Sequence, residues 1–352
     1  MITPSTQRPL HVAVRCDATQ HGGVGHLVRQ LALAEELIAR GHRVTLWGTC
    51  EVPWAQRQAA ERGLAFVEPP AGPHDLTARL LAERVDVLII DGYAFDPVLG
   101  TTARAAGVGV LTLCDGEFGL DQDADVYVDQ NLGAHAAQER HPDAEFLVGL
   151  DYVLLRDVVR DRRGVRREAL PAGDAPRVLV VFGGTDAYGG CRVLVPLLLA
   201  TDAPVEVVAI AARREVADEL AALKCGPGQR VTVLPTADDL PGIAVGCDAA
   251  VSASGTSVWE FLCLGVPMAL VCVTDNQLLG YREATHDELC LPAGKLTALR
   301  EDAGSRAASV AQLTRLLEDP ALRERLASRG RGLVDGRGRE RVADAVERLA
   351  LR

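Results

Sequence analysis

The sequence predicts an α/β protein of two doubly wound domains, each built on a mainly parallel sheet and facing the other across a cleft. Three observations lead there. Short apolar, β-branched runs alternate with stretches whose apolar residues recur at helix spacing. Glycine-rich or small-residue turns follow predicted strands in both halves, at 22–25, 183–186 and 254–257. A segment reading Leu170-Pro171-Ala172-Gly173-Asp174-Ala175-Pro176 separates one such series from the next. Strands that alternate with helices give parallel sheets covered on both faces.

Taken in order, residues 1–9 carry two prolines and read as a tail. The run 11–15 reads as a strand, because Val12, Ala13 and Val14 are small or β-branched. Residues 27–40 place Leu27, Leu31, Ala34, Leu37 and Ile38 on one helical face. Strands are expected at 43–47, 64–67, 87–90, 109–114 and 126–129, with helices at 56–62, 76–84 and 101–106. After the boundary, strands are expected at 178–182, 205–210, 231–234, 249–251 and 267–273. Helices fall at 191–199, 214–223, 258–264, 309–318, 321–328 and 340–351. The domain division is therefore 1–160 and 175–338, with 339–352 as a closing helix.

The chain has 352 residues, nearly half of them apolar, enough for two domains with sizeable cores. Its net charge is −11 with no basic block, which argues against nucleic acid or an anionic membrane as partner. No early basic-plus-apolar segment and no apolar run of about 20 residues is present. Nine cysteines are scattered without a C-x-x-C pair. They read as core thiols of a cytoplasmic protein, and no metal site is expected.

Chemistry is expected at the carboxyl ends of the strands, where an open α/β sheet holds its ligand. The first candidate is Gly22-Gly23-Val24-Gly25-His26. Glycines there let a phosphate or sugar approach the backbone, and the next helix offers free N–H groups. The reading is weak by itself, since the dinucleotide fingerprint lacks its third glycine. The second is Gly183-Gly184-Thr185-Asp186. The third is Ser254-Gly255-Thr256-Ser257, whose hydroxyls and bare backbone at a helix start suit a diphosphate. Glu260 on the first turn of that helix suits ribose hydroxyls, or else closes a capping box with Thr256 or Ser257. Asn276 and Gln277 close the next strand and suit a sugar or serve as a polar turn. Asp17, Asp91 and Tyr93 border the same edge of the first sheet and are expected to bind the sugar, with Tyr93 reading as a sugar platform or as packing.

Together these residues resemble a known family. Gly23-Val24-Gly25-His26-Leu27-Val28-Arg29, Gly183-Gly184-Thr185-Asp186, Ser254-Gly255-Thr256-Ser257-Val258-Trp259-Glu260 and Asp275-Asn276-Gln277 look like the spore-coat-polysaccharide and pseudaminic-acid pathway (PseG/SpsG-like) sugar-nucleotide enzymes. Asp129-Gln130-Asn131-Leu132 and Asp335-Gly336-Arg337-Gly338 fit the same pattern. The best-understood branch is a UDP-sugar hydrolase, and the family is related to MurG-type glycosyltransferases. The resemblance implies the GT-B arrangement, with the nucleotide held mainly by the second domain and the final helix returning to the first. It implies that His26 activates the nucleophile; Gly25 is expected to contact the nucleotide or its diphosphate. Gly255, Thr256 and Ser257 would cradle the diphosphate, with Ser254 at the head of their loop. Glu260 would hold the ribose and Asn276 and Gln277 the sugar or its phosphate. Gly183, Gly184 and Thr185 would border the nucleotide.

The chain departs from the hydrolases at Asp91-Gly92-Tyr93, where they tend to carry Asp-His-Tyr, and at Cys114-Asp115-Gly116, where they show paired acids. A glycine at 92 is expected to open space for an acceptor. The leading expectation is an inverting, metal-independent glycosyltransferase that uses a nucleotide-diphosphate sugar and a small-molecule acceptor, with no cofactor. The alternative is a nucleotide-sugar hydrolase in which His26 activates water.

Overall fold

In the computed structural model, which describes residues 8–19, 24–165, 175–184, 186–235, 237 and 239–351, thirteen strands form two sheets. The first holds β1 (His11–Cys16), β2 (Arg43–Trp47), β3 (Phe66–Val67), β4 (Val87–Asp91), β5 (Gly109–Leu113), β6 (Val126–Asp129) and β7 (Glu145–Val148). Its order is β3-β2-β1-β4-β5-β6-β7, and every pairing is parallel. The second holds β8 (Arg177–Val181), β9 (Val205–Ile210), β10 (Gln229–Leu234), β11 (Ala249–Ala253), β12 (Met268–Cys272) and β13 (Leu291–Lys295). Its order is β10-β9-β8-β11-β12-β13, again parallel throughout. Both are doubly wound sheets, and their strand order reverses between β1 and β4 and between β8 and β11. Those two crevices are where such sheets bind ligands.

The chain divides into two compact units, Met1–Asp157 with Arg337–Arg352, and Val158–Gly336. The first division thus falls ahead of the Pro-rich stretch, whose residues 170–174 lie outside the described ones. In the first unit β4 is buried along its whole length, Val87 to Asp91. A strand covered on both faces accepts a continuous apolar run, and Asp91 is the one polar side chain in it. The Gly25–Ala39 helix lays Leu27, Leu31, Ala34 and Leu37 on that sheet.

The Gly338–Leu349 helix adds Val342, Ala343, Val346 and Leu349 to the same core. Its start needs a glycine, because a Cβ on Gly338 would lie 2.3 Å from the Val153 carbonyl oxygen. Buried Arg339 then donates to Glu35 at 2.9 Å and to Asp157 at 2.5 Å. The second unit packs Val178, Val180, Val207 and Val251 against Leu194, Leu198, Leu313 and Leu316.

Several elements escape the hydrophobic pattern, four of them for evident physical reasons. Strand β7 is a four-residue edge. Strand β13 contains Pro292 and Gly294 and carries a register shift against β12, both of which mask a strand signal. The Leu240–Val245 helix is six residues long, and the Leu278–His286 helix buries only Ala284, so neither shows an apolar stripe.

Candidate active site

The reversal point of the first sheet gathers a polar cluster. His26 is the second residue of the Gly25–Ala39 helix, just beyond β1, and Asp91 is the last residue of β4. Cys16 pairs with Asp91 across the two strands, which sets the helix start beside that carboxylate. His26 Nδ1 lies 2.6 Å from Asp91 Oδ1. An ionised carboxylate can only accept, so Nδ1 carries the proton and donates. Arg29 donates to the same carboxylate twice, Nε to Oδ2 at 2.8 Å and Nη2 to Oδ1 at 2.5 Å. Gln30 Nε2 gives the carboxylate its fourth hydrogen bond, to Oδ2 at 2.7 Å. His26, Arg29 and Gln30 stand at i, i+3 and i+4 and so share a helix face.

The electrostatics follow from that packing. Asp91 is fully buried, and burial alone disfavours its charge; Arg29 and His26 outweigh it and hold the carboxyl well below the usual range. Burial likewise opposes the Arg29 charge, and Asp91 overrides it. Both Arg29 and Asp91 therefore stay charged, and His26 Nε2 has no hydrogen-bond partner among the described residues.

A second tier surrounds His26. Tyr93 stands edge-on to the imidazole, with ring centroids 4.6 Å apart, and its hydroxyl donates to Asp115. Asn131 Nδ2 donates to Asp115 at 2.9 Å and to Asp129 at 2.8 Å. Burial pushes the Asp129 carboxyl up, although the N–H groups of Asn131 and Gly116 oppose the shift. Asp17 is turned to a different task, bonding Arg15 at 2.7 and 2.9 Å and the Thr49 N–H at 2.8 Å.

The expectation that Gly92 opens space is corrected here. A Cβ on Gly92 would lie 2.5 Å from the Phe95 ring, so that ring already fills the room a side chain would need. The Arg15 guanidinium lies 3.9 Å from the Phe95 centroid and pins it. Gly92→Ala is expected to cost about 1–3 kcal/mol of stability by overpacking, and most of that cost should vanish in a Phe95→Ala background. Urea denaturation of the single and double variants checks it.

In the second unit, Gly183 and Gly184 follow β8, and Thr185 lies outside the described residues, as do Gly22 and Gly23 of the first unit's turn. Gly183 has φ +68, and Asp186 has φ +45. Asp186 accepts from the Gly190 and Cys191 N–H groups at 2.6 and 3.1 Å, which fills the start of the Gly190–Leu199 helix. The Ser257–Leu264 helix differs, because its N-terminus has no side-chain cap. Thr256 is the N-cap and Glu260 falls at the fourth helical position, one beyond the capping-box position, so no box forms. Glu260 is buried. Gln277 Oε1 accepts from the Val273 N–H at 3.1 Å, and its Nε2 lies 3.7 Å from a Cβ position on Gly255. Asn276 is exposed and accepts from the Thr274 hydroxyl at 2.5 Å. Strands β8 and β11 are neighbours, so Gly183, Gly184 and residues 254–257 share one crevice of this unit.

Sequence reading assigned no role to Arg29 or Gln30, though the i, i+3, i+4 polar trio on an apolar helix was a usable signal. Among the described residues no group of three or more His, Cys, Asp or Glu is arranged to hold a metal ion. Among them too, no helix is long and apolar enough to cross a membrane.

No protein-family model matches the chain. It is 22% identical over 354 residues to the spore coat polysaccharide biosynthesis protein SpsG of Bacillus subtilis (strain 168), covering 97% of this chain and 98% of SpsG. In fold it is similar to Acinetobacter baumannii MurG, with TM-score 0.73 and 18% identity over 97% of this chain and 100% of that one. It is also similar to CalG4, the calicheamicin glycosyltransferase, with TM-score 0.63 and 17% identity over 98% and 99%. The fold is GT-B, as in MurG and CalG4, and the chain is similar to SpsG along almost its whole length.

Proposed function

We propose that this chain is an inverting glycosyltransferase that moves a sugar from a nucleoside-diphosphate donor to a hydroxyl or amine of a small-molecule acceptor. The observation that carries the reading is the 2.6 Å contact between His26 Nδ1 and buried Asp91. It fixes the tautomer, so in the neutral imidazole the lone pair sits on Nε2, where a general base needs it. Nε2 takes the acceptor proton as the acceptor's lone pair bonds to the anomeric carbon. The bond from that carbon to the diphosphate oxygen breaks, and its electrons leave with the nucleoside diphosphate. Asp91 steadies the imidazolium formed, and Arg29 keeps Asp91 ionised.

The 254–257 loop receives the diphosphate. Its helix start lacks a side-chain cap, whereas the helix start after Gly183 and Gly184 is filled by Asp186, so those glycines border the nucleotide rather than grip it. Backbone N–H groups and the helix dipole take the leaving-group charge, and the scheme calls on no metal. Gln277 and Asn276 face the sugar and its phosphate. Glu260 accepts from the ribose hydroxyls. Glu260→Ala is expected to weaken nucleoside diphosphate binding roughly 10- to 100-fold, the worth of hydrogen bonds to a charged group. Calorimetric titration with UDP, dTDP and GDP reads it, and unchanged affinity for all three removes Glu260 from the ribose.

The test is nucleoside diphosphate release from a panel of nucleotide sugars, with and without added alcohols and amines. The expected result is slow release alone and acceleration by an acceptor. Brisk acceptor-free release with free sugar would make the protein a hydrolase, and no release in either condition would overturn both.

A further inference from the structure

The pair Tyr93–Phe118 has no role in the chemistry above, yet it stands exposed beside the base. Phe and Tyr total 11 of the 352 residues, so two of them touching at one surface point is uncommon in this chain. Tyr93 is 45% and Phe118 50% exposed. Their centroids are 4.8 Å apart with a 56° tilt, and Tyr93 is itself 4.6 Å from the His26 ring.

The pair is held from both sides. Asp115 and Phe118 close a tight turn through paired backbone hydrogen bonds of 3.1 and 3.3 Å, with Gly116 at φ +64 inside it. The Asp115 carboxylate at the base of that turn accepts the Tyr93 hydroxyl. One residue thus fixes the backbone that presents Phe118 and the ring on which Phe118 leans. Rigid exposed aromatics lose little conformational entropy when a ligand covers them. Two tilted, half-exposed rings in mutual contact thus stand at the surface, and one of them, Tyr93, touches the His26 ring.

We propose that Phe118 and Tyr93 form the acceptor platform: they bind an acceptor ring by its apolar face and set its hydroxyl or amine at His26 Nε2. The inference rests on the proposed function for the identity of the base, but its contact with a ring is independent of turnover. A ring with an apolar face can be a saturated sugar, through its C–H groups, or an aromatic aglycone. Tyr93 and Phe118 determine specificity, and neither moves a proton.

The chain has five tyrosines, so full-length protein labelled with 3-fluorotyrosine gives five fluorine resonances, and Tyr93→Phe identifies one. Methyl α-D-glucopyranoside and phenol are titrated separately as ring probes. At least one should shift the Tyr93 line saturably. Phe118→Ala should weaken that probe roughly two- to tenfold, the worth of one aromatic contact. Phe118→Leu, which keeps apolar volume without a π face, should fall between the two. A Tyr93 line that neither probe moves, or probe affinities equal in wild type and both variants, overturns the platform. A shifted line in a protein whose turnover ignores His26 would leave the platform standing and overturn the base instead.

Discussion

Replacing Asp91 by alanine is expected to destabilise the protein by about 3–5 kcal/mol, the cost of leaving a buried charge without its partner. Asp91 is wholly buried and takes hydrogen bonds from His26, Arg29 and Gln30. Without it the guanidinium of Arg29, itself buried, loses the carboxylate that it bonds. Asp91→Asn keeps the volume and should still lose most of the stabilisation, because an amide has one accepting oxygen for the four hydrogen bonds that converge there. The double variant Asp91→Asn with Arg29→Met should recover part of the loss, since it removes both charges. Urea denaturation at pH 7 checks all three, and an Asp91→Ala midpoint equal to wild type would contradict the ion pair.

The same carboxylate sets an acid response. Its folded pKa lies below its unfolded value. Its contribution is therefore complete above about pH 4, the ordinary carboxylate range, and is lost progressively as pH falls towards the lowered folded value. Wild type should lose more stability than Asp91→Asn between pH 5 and pH 3.

His26→Ala is expected to slow sugar transfer by roughly 10²- to 10⁴-fold, the usual worth of a positioned general base. His26 is only slightly exposed, and its Nδ1 donates one hydrogen bond, to Asp91. Stability should therefore change far less than in Asp91→Ala. Affinity for nucleoside diphosphate should hold, because the residues proposed for that ligand belong to the second unit. His26→Gln, which can donate to Asp91 but offers no imidazole lone pair, should be as slow as alanine. Single-turnover release of nucleoside diphosphate at saturating donor reads the effect, and turnover within about threefold of wild type would remove His26 from the chemistry.

The sheets were legible because β1, β4, β8 and β11 are dense apolar runs bounded by glycine-rich or small-residue turns. The site was legible in part for the same reason. Residues 254–257 follow such a run and His26 opens the helix that follows another, and a doubly wound sheet places those connections at its crevices. The supporting residues were harder to see. Arg29 and Gln30 lie inside an amphipathic helix, where a polar residue reads as surface until the buried Asp91 is known to face it. Gly92 read as empty space, because sequence does not show that the Phe95 ring, three residues on, folds back over it. Phe118 lies in a short turn with no periodic signal, and only the Asp115 backbone pairing brings it onto Tyr93.

The stereochemical course of the reaction tests the central claim most directly. A nucleotide sugar of defined anomeric configuration is incubated with the protein, and the anomeric proton of the first product is followed by NMR before mutarotation. A single displacement driven by His26 predicts inversion, so an α-linked donor gives a β product. Retention would contradict direct attack by a base-activated nucleophile.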